Sequence, residues 1–121
     1  MSYSLIYHYY FLFFIFYFLF FIFYILYFIY IYKMLLEFFT EFIGTFIFLG
    51  VILMSGDPLA IGITLASVIY FGRKVSGGNF NPAVSYMMLL SKKIDGSKFF
   101  VYIIAQLLGA TAAFLYHRYS K

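Results

Sequence analysis

Cysteine is absent from the 121 residues, which excludes disulfide frameworks, thiolate metal sites and cysteine nucleophiles. Charge is scarce as well. Eight basic and four acidic residues make up 10% of the chain, against 66% hydrophobic residues, and the mean hydropathy is +1.01. A soluble domain of this size keeps most of its residues near water and needs a charged surface. This composition cannot supply one, so most soluble enzymes and binding modules are excluded. The net charge of +4 is small and dispersed, without the clustered basic face that nucleic-acid binding needs. No Ser/His/Asp arrangement or metal-ligand cluster stands out, and Ser76-Gly77-Gly78 lacks the Lys-Ser/Thr ending of a phosphate loop. The expectation is an all-α, multi-pass integral membrane protein that is not an enzyme. It has the lipid bilayer as its surroundings and calls for no cofactor and no metal.

What is present falls into four apolar stretches. Leu5 to Tyr32 carries no charge and, apart from His8, consists only of Phe, Tyr, Ile and Leu. As a helix it would measure about 42 Å, more than the roughly 30 Å hydrocarbon core. It lacks the basic start and the small-residue cleavage site of a signal peptide. Two readings stay open: an extra N-terminal hydrophobic helix over 1–33, or translated sequence upstream of a start at Met34. Residues 34–54 form the next expected span, which differs in holding Glu37, Glu41, Gly44, Thr45 and Gly50. Glu37, one turn from Lys33, is expected to pair with it at the interface. Ser55-Gly56-Asp57-Pro58 reads as a tight turn. The span over 58–72 is short unless the turn residues extend it, and its Gly62 and Ala66 allow close helix approach.

The segment after Arg73 and Lys74 is too short to cross. Ser76-Gly77-Gly78-Asn79-Phe80 reads as a loop, and Asn81-Pro82-Ala83 opens an apolar helix over about 82–91. Asn81 suits the cap and Pro82 the first helical position. A short helix with a polar start between spans reads as re-entrant. The last span covers 98–117, with His117 at its boundary. Its Ala105, Gly109 and Ala113 form a close-packing stripe expected to favour oligomers, and Gln106 is expected to bond to a neighbouring helix or loop. With the re-entrant side in the cytoplasm, Lys33, Arg73, Lys74, Lys92, Lys93 and Lys98 lie inside, and Arg118 and Lys121 outside. The positive-inside rule favours that orientation. If 5–32 also crosses, the N-terminus lies outside.

Ser76-Gly77-Gly78-Asn79-Phe80-Asn81-Pro82-Ala83-Val84-Ser85 resembles the first pore loop of the aquaporin and glycerol-channel family. Glu41-Phe42-Ile43-Gly44-Thr45-Phe46 resembles that family's first helix, and Tyr102 to Ala110 its third. The resemblance covers about Met34 to His117. It implies a fold of two inverted repeats, each with three spans and one half-helix, of which residues 34–121 match the first repeat. It further implies a channel for water or small neutral solutes such as glycerol. Asn81, Pro82, Ala83, Gly77, Gly78 and Asn79 would line the pore, and Glu41 and Gln106 would support its loop. Asn79 stands where His is common, and Tyr86 where an aliphatic residue is usual. The family's aromatic filter position in the second helix falls on Ile61, which is neither aromatic nor polar. Read without the resemblance, Asn81 is first a plain helix cap, and the bland reading of Glu41 is a protonated carboxyl between helices. The alternative function is a truncated, non-conducting membrane protein that associates with a full-length channel or a missing second half.

Overall fold

The computed structural model describes residues 3–120. Lys121, one of the two cations that the charge argument sets apart, lies outside the described residues. The chain divides into two compact units, Met1–Lys33 and Met34–Lys121.

The elements run α1 (Tyr3–Met54), α2 (Pro58–Gly72), α3 (Pro82–Leu90) and α4 (Gly96–Tyr119). Tyr32-Lys33-Met34-Leu35 contains no proline, glycine or capping residue to stop a helix, so α1 continues through it. Within the first unit the described side chains from Leu5 onward are exposed, except for half-buried Ile15.

The later helix starts follow their capping residues. Asp57 Oδ2 accepts from Ala60 N at 2.9 Å, Asn81 Oδ1 from Ala83 N at 2.8 Å, and Asp95 Oδ1 from Lys98 N at 2.9 Å. Pro58 and Pro82 take the first helical positions, where a missing N–H is harmless. Among the described residues, two helices are by length and composition long and apolar enough to cross a bilayer, Leu5–Met54 and Gly96–Tyr119. With 15 residues, α2 reaches about 22 Å, and the turn before it does not lengthen it.

The core of the second unit inverts the water-soluble pattern. Large apolar side chains such as Ile43, Ile63, Phe71, Leu107 and Phe114 face outward, while Glu37, Glu41, Thr45, Ser76, Asn79, Ser85 and Gln106 are buried. In lipid, outward apolar groups lose nothing, and helices associate through small residues and interior hydrogen bonds. The small-residue stripe of α4 shows this directly. Ala105, Gly109 and Ala113 are all buried, and a Cβ on Gly109 would lie 2.5 Å from the Phe42 carbonyl oxygen of α1. The stripe therefore does not face outward to drive oligomers, because α1 already occupies it. The small pair on α2 is unused within the described residues: Gly62 and Ala66 are exposed, and nothing lies within 4 Å of a Cβ on Gly62.

Candidate functional site

The site grows from one face of α1. Glu37, Glu41 and Thr45 recur every four residues and share that face, and each is buried. Opposite them α4 sets Tyr102 and Gln106, again four apart and buried. Between the two helices lies the loop that leads into α3.

Glu41 holds this loop by its backbone. Its Oε1 accepts from Asn79 N at 2.9 Å and from Ser76 Oγ at 2.6 Å. Its Oε2 accepts from Phe80 N at 2.6 Å and from Gln106 Nε2 at 2.9 Å. An ionised carboxylate only accepts hydrogen bonds, and all four partners here are donors. Charge-assisted bonds of this kind are the stronger class, and they occupy backbone N–H groups that a buried loop must satisfy somewhere.

Other side chains close the network. Gln106 Nε2 also donates to Ser85 Oγ at 2.8 Å, and Asn79 Nδ2 reaches the same hydroxyl at 3.2 Å. Tyr102 donates its hydroxyl proton to the Ser76 carbonyl at 2.7 Å. Gly78 N donates to Ser76 Oγ at 3.1 Å. The loop is thus tied to α1, α3 and α4 at once.

The loop's course needs left-handed backbone. Gly77 and Gly78 have φ of 93° and 66°, and Phe80, which has a side chain, has φ of 48°. A residue with a Cβ is uncommon there, and packing is what holds Phe80. Its ring is 2% exposed and fills the space beside Gly44 of α1 and Gly72 of α2. A Cβ on Gly72 would lie 2.5 Å from the ring's Cζ, and one on Gly44 would overlap the ring. The two glycines form a slot cut to an aromatic ring.

Beyond the loop, Asn81, Pro82 and Ala83 are exposed. Asn81 Oδ1 must be the amide atom that faces Ala83, since Ala83 N is a donor. Its Nδ2 bonds to no group of this chain among the described residues. The structure brings Gly77, Gly78, Asn79, Glu41 and Gln106 together around one loop that ends at Asn81-Pro82-Ala83. Ile61 is not among them. It is half-buried in the first turn of α2, about 16 Å along that helix from the Gly72 that touches Phe80. Glu37 differs from the expectation: its Oε1 accepts from Lys98 Nζ of α4 at 2.7 Å, not from Lys33. Facing inward, Glu37 meets the cation that α4 brings to the same level.

Sequence reasoning passed over Ser85, Tyr102 and Phe80 as structural anchors. Two of them had a signal. Tyr102 lies one turn from Gln106 on the same face, and Ser85 is a hydroxyl in an otherwise apolar short helix. Phe80 had none, because its slot is built from two glycines distant in sequence.

A family model described as Major intrinsic protein matches residues 32–120. The chain belongs to this family. Its members are integral membrane channels rather than enzymes. A glycerol uptake facilitator protein-like 6 from Lactiplantibacillus plantarum is 43% identical over 86 residues, covering 64% of this chain and 40% of that relative. Aquaporin Z of Brucella melitensis is 40% identical over 58 residues, 48% of this chain and 25% of the relative. Aquaporin NIP3-1 of Arabidopsis thaliana is 39% identical over 87 residues, 60% of this chain and 27% of the relative. This major intrinsic protein chain therefore spans well under half the length of these relatives.

Proposed function

We propose that residues 34–121 form the first repeat of a channel for water or small neutral solutes such as glycerol. In this reading 34–54, 58–72 and 98–117 span the bilayer, and α3 is a re-entrant half-helix beginning at mid-membrane. The observation that carries the proposal is the amide of Asn81. Its oxygen is held by Ala83 N, which leaves Nδ2 as a fixed donor at the exposed start of α3. A passing water or hydroxyl oxygen can accept from it. The N-terminus of α3 adds the positive end of a helix dipole, which disfavours cations, hydronium included. Pore width, lining donors and half-helix dipoles are the general basis of aquaporin-type selectivity rather than a feature peculiar to this chain.

Pro82 and Ala83 shape the first turn beside that donor, and the Gly77, Gly78 and Asn79 backbone forms the approach to it. Glu41 and Gln106 act on the pore through the loop. Ile61 takes the filter position of the second helix, where an aliphatic side chain offers solutes no hydrogen bond. The name of the 43% identical relative refers to glycerol uptake, which supports keeping small polyols among the solutes.

In this reading a half-repeat leaves the start of α3 open, and the exposed Asn81, Pro82 and Ala83 are compatible with that. A pore of the family type needs a second half-helix from the opposite face. A parallel homodimer would bring both half-helices in from one face, and the lysine bias opposes dual topology. The 121 residues alone are therefore expected to conduct poorly and to work with a second repeat. The test is stopped-flow light scattering on proteoliposomes under an osmotic step, with insertion checked by protease accessibility. The expected result is the rate of empty liposomes for the chain alone, and fast shrinkage when a second repeat from a related channel is co-reconstituted. Asn81→Ala should abolish that gain. No gain with both halves inserted would refute the channel reading. Asn81-dependent flux from the chain alone would refute the need for a second half.

A further inference from the structure

The junction of α3 and α4 holds two features that the loop network does not use. The first is the way α3 ends. Lys92 N donates to Leu89 O and Lys93 N to Met88 O, each at 2.9 Å. This pair of bonds is a Schellman closure, in which the residue after the cap turns left-handed and is usually glycine. Here that residue is Lys92, with φ of 56°. A side chain is strained in that region and glycine is not. A lysine needed only to mark the cytoplasmic side could stand at any neighbouring position without strain.

The second feature is a cavity of about 490 Å³ lined by Leu89, Lys92, Lys93, Ile94, Asp95 and Lys98. Two of its charged groups are already engaged. Asp95 caps α4 through Oδ1, and Lys98 is paired with Glu37. Lys92 and Lys93 are exposed and have no carboxylate partner among the described residues. The N-terminal end of α4 lies beside them, its dipole offset by the Asp95 carboxylate that caps it, so the two lysines carry the positive charge of the cavity. Leu89 and Ile94, both half-buried, give the same cavity an apolar wall.

We propose that this cavity binds the phosphate of an anionic phospholipid headgroup. Lys92 and Lys93 meet the phosphate, while Leu89 and Ile94 lie against the upper acyl chain. A free phosphate would use the lysines and leave the apolar wall idle, so the combination favours lipid. Basic pockets beside membrane helices at the cytoplasmic interface suit such headgroups. The proposal rests on the re-entrant reading of α3, which returns the chain to the face where α4 begins.

The test uses the full 121-residue chain in a neutral detergent. Thermal unfolding is followed by circular dichroism with dioctanoyl-phosphatidylglycerol, dioctanoyl-phosphatidylcholine or inorganic phosphate at equal concentration. Phosphatidylglycerol should raise the Tm by several degrees, and the other two should leave it within a degree of the additive-free value. Lys92→Gly removes strain together with charge. Its additive-free Tm should rise, while most of its response to phosphatidylglycerol should vanish. Lys93→Gln should lose the response with its additive-free Tm unchanged. Equal responses to the two lipids, an inorganic phosphate response matching that of phosphatidylglycerol, or a full response in Lys92→Gly would each overturn the proposal. Because no water flux is read, this result and the fate of the channel reading can be told apart.

Discussion

Replacing Glu41 by Gln tests whether one carboxylate holds the loop. The side chain keeps its size, but one oxygen becomes an NH₂ group. If the NH₂ lies at the Oε2 position, it faces Phe80 N; at the Oε1 position it faces Asn79 N. Ser76 can rotate its hydroxyl to accept, and Gln106 can turn its amide. A backbone N–H cannot change sign, so either orientation leaves one loop N–H buried against another donor. Losing one hydrogen bond to a charged acceptor and stranding its donor costs about 2–4 kcal/mol. At about 1.4 kcal/mol per factor of ten, amide protection should fall about 30- to 700-fold. Hydrogen exchange by mass spectrometry on the 76–80 segment, in micelles or nanodiscs, reads this directly. Exchange at α4 residues far from Gln106 should change little. Unchanged protection of Asn79 and Phe80 in an inserted, folded Glu41→Gln chain would refute the account of the loop.

Three further outcomes are expected. Gly44→Ala drives a methyl into the Phe80 ring and should destabilise the fold by about 1–3 kcal/mol. Pairing it with Phe80→Leu should recover part of that loss in detergent unfolding. Gly109→Leu meets the α1 backbone at Phe42 and Phe46 and the Thr45 Cβ, and spin labels on α1 and α4 should report the helices moving apart. Lys98→Met strands the Glu37 carboxylate. Since the Lys98 side chain is 27% exposed, the cost should fall to about 1–3 kcal/mol, below that of a fully buried pair. Adding Glu37→Gln should restore most of it, and a double-mutant cycle that shows no coupling would remove the ion pair from the account.

Much of this protein is legible in its order of residues. The scarcity of charge and the apolar runs point to a helical membrane protein, because only there are such surfaces stable. Asn81 marks a helix start, since a cap acts within three residues of itself, and the caps Asp57 and Asp95 obey the same local rule. The Ser76–Ser85 segment carries the family resemblance. The spacing of Glu37, Glu41 and Thr45 shows that they share a face, and that of Ala105, Gly109 and Ala113 that a helix can approach closely. Periodicity names a face but not its occupant. Only the tertiary structure decided that α1 fills the α4 stripe and that Glu37 meets Lys98 across 61 positions instead of Lys33 one turn away. Likewise, only the fold cut the Phe80 slot from Gly44 and Gly72 and turned Lys92 left-handed at the mouth of a basic cavity. The division has a physical basis. Burial preference and capping are settled by near neighbours along the chain, whereas pairing and packing depend on groups that meet only after the helices have docked.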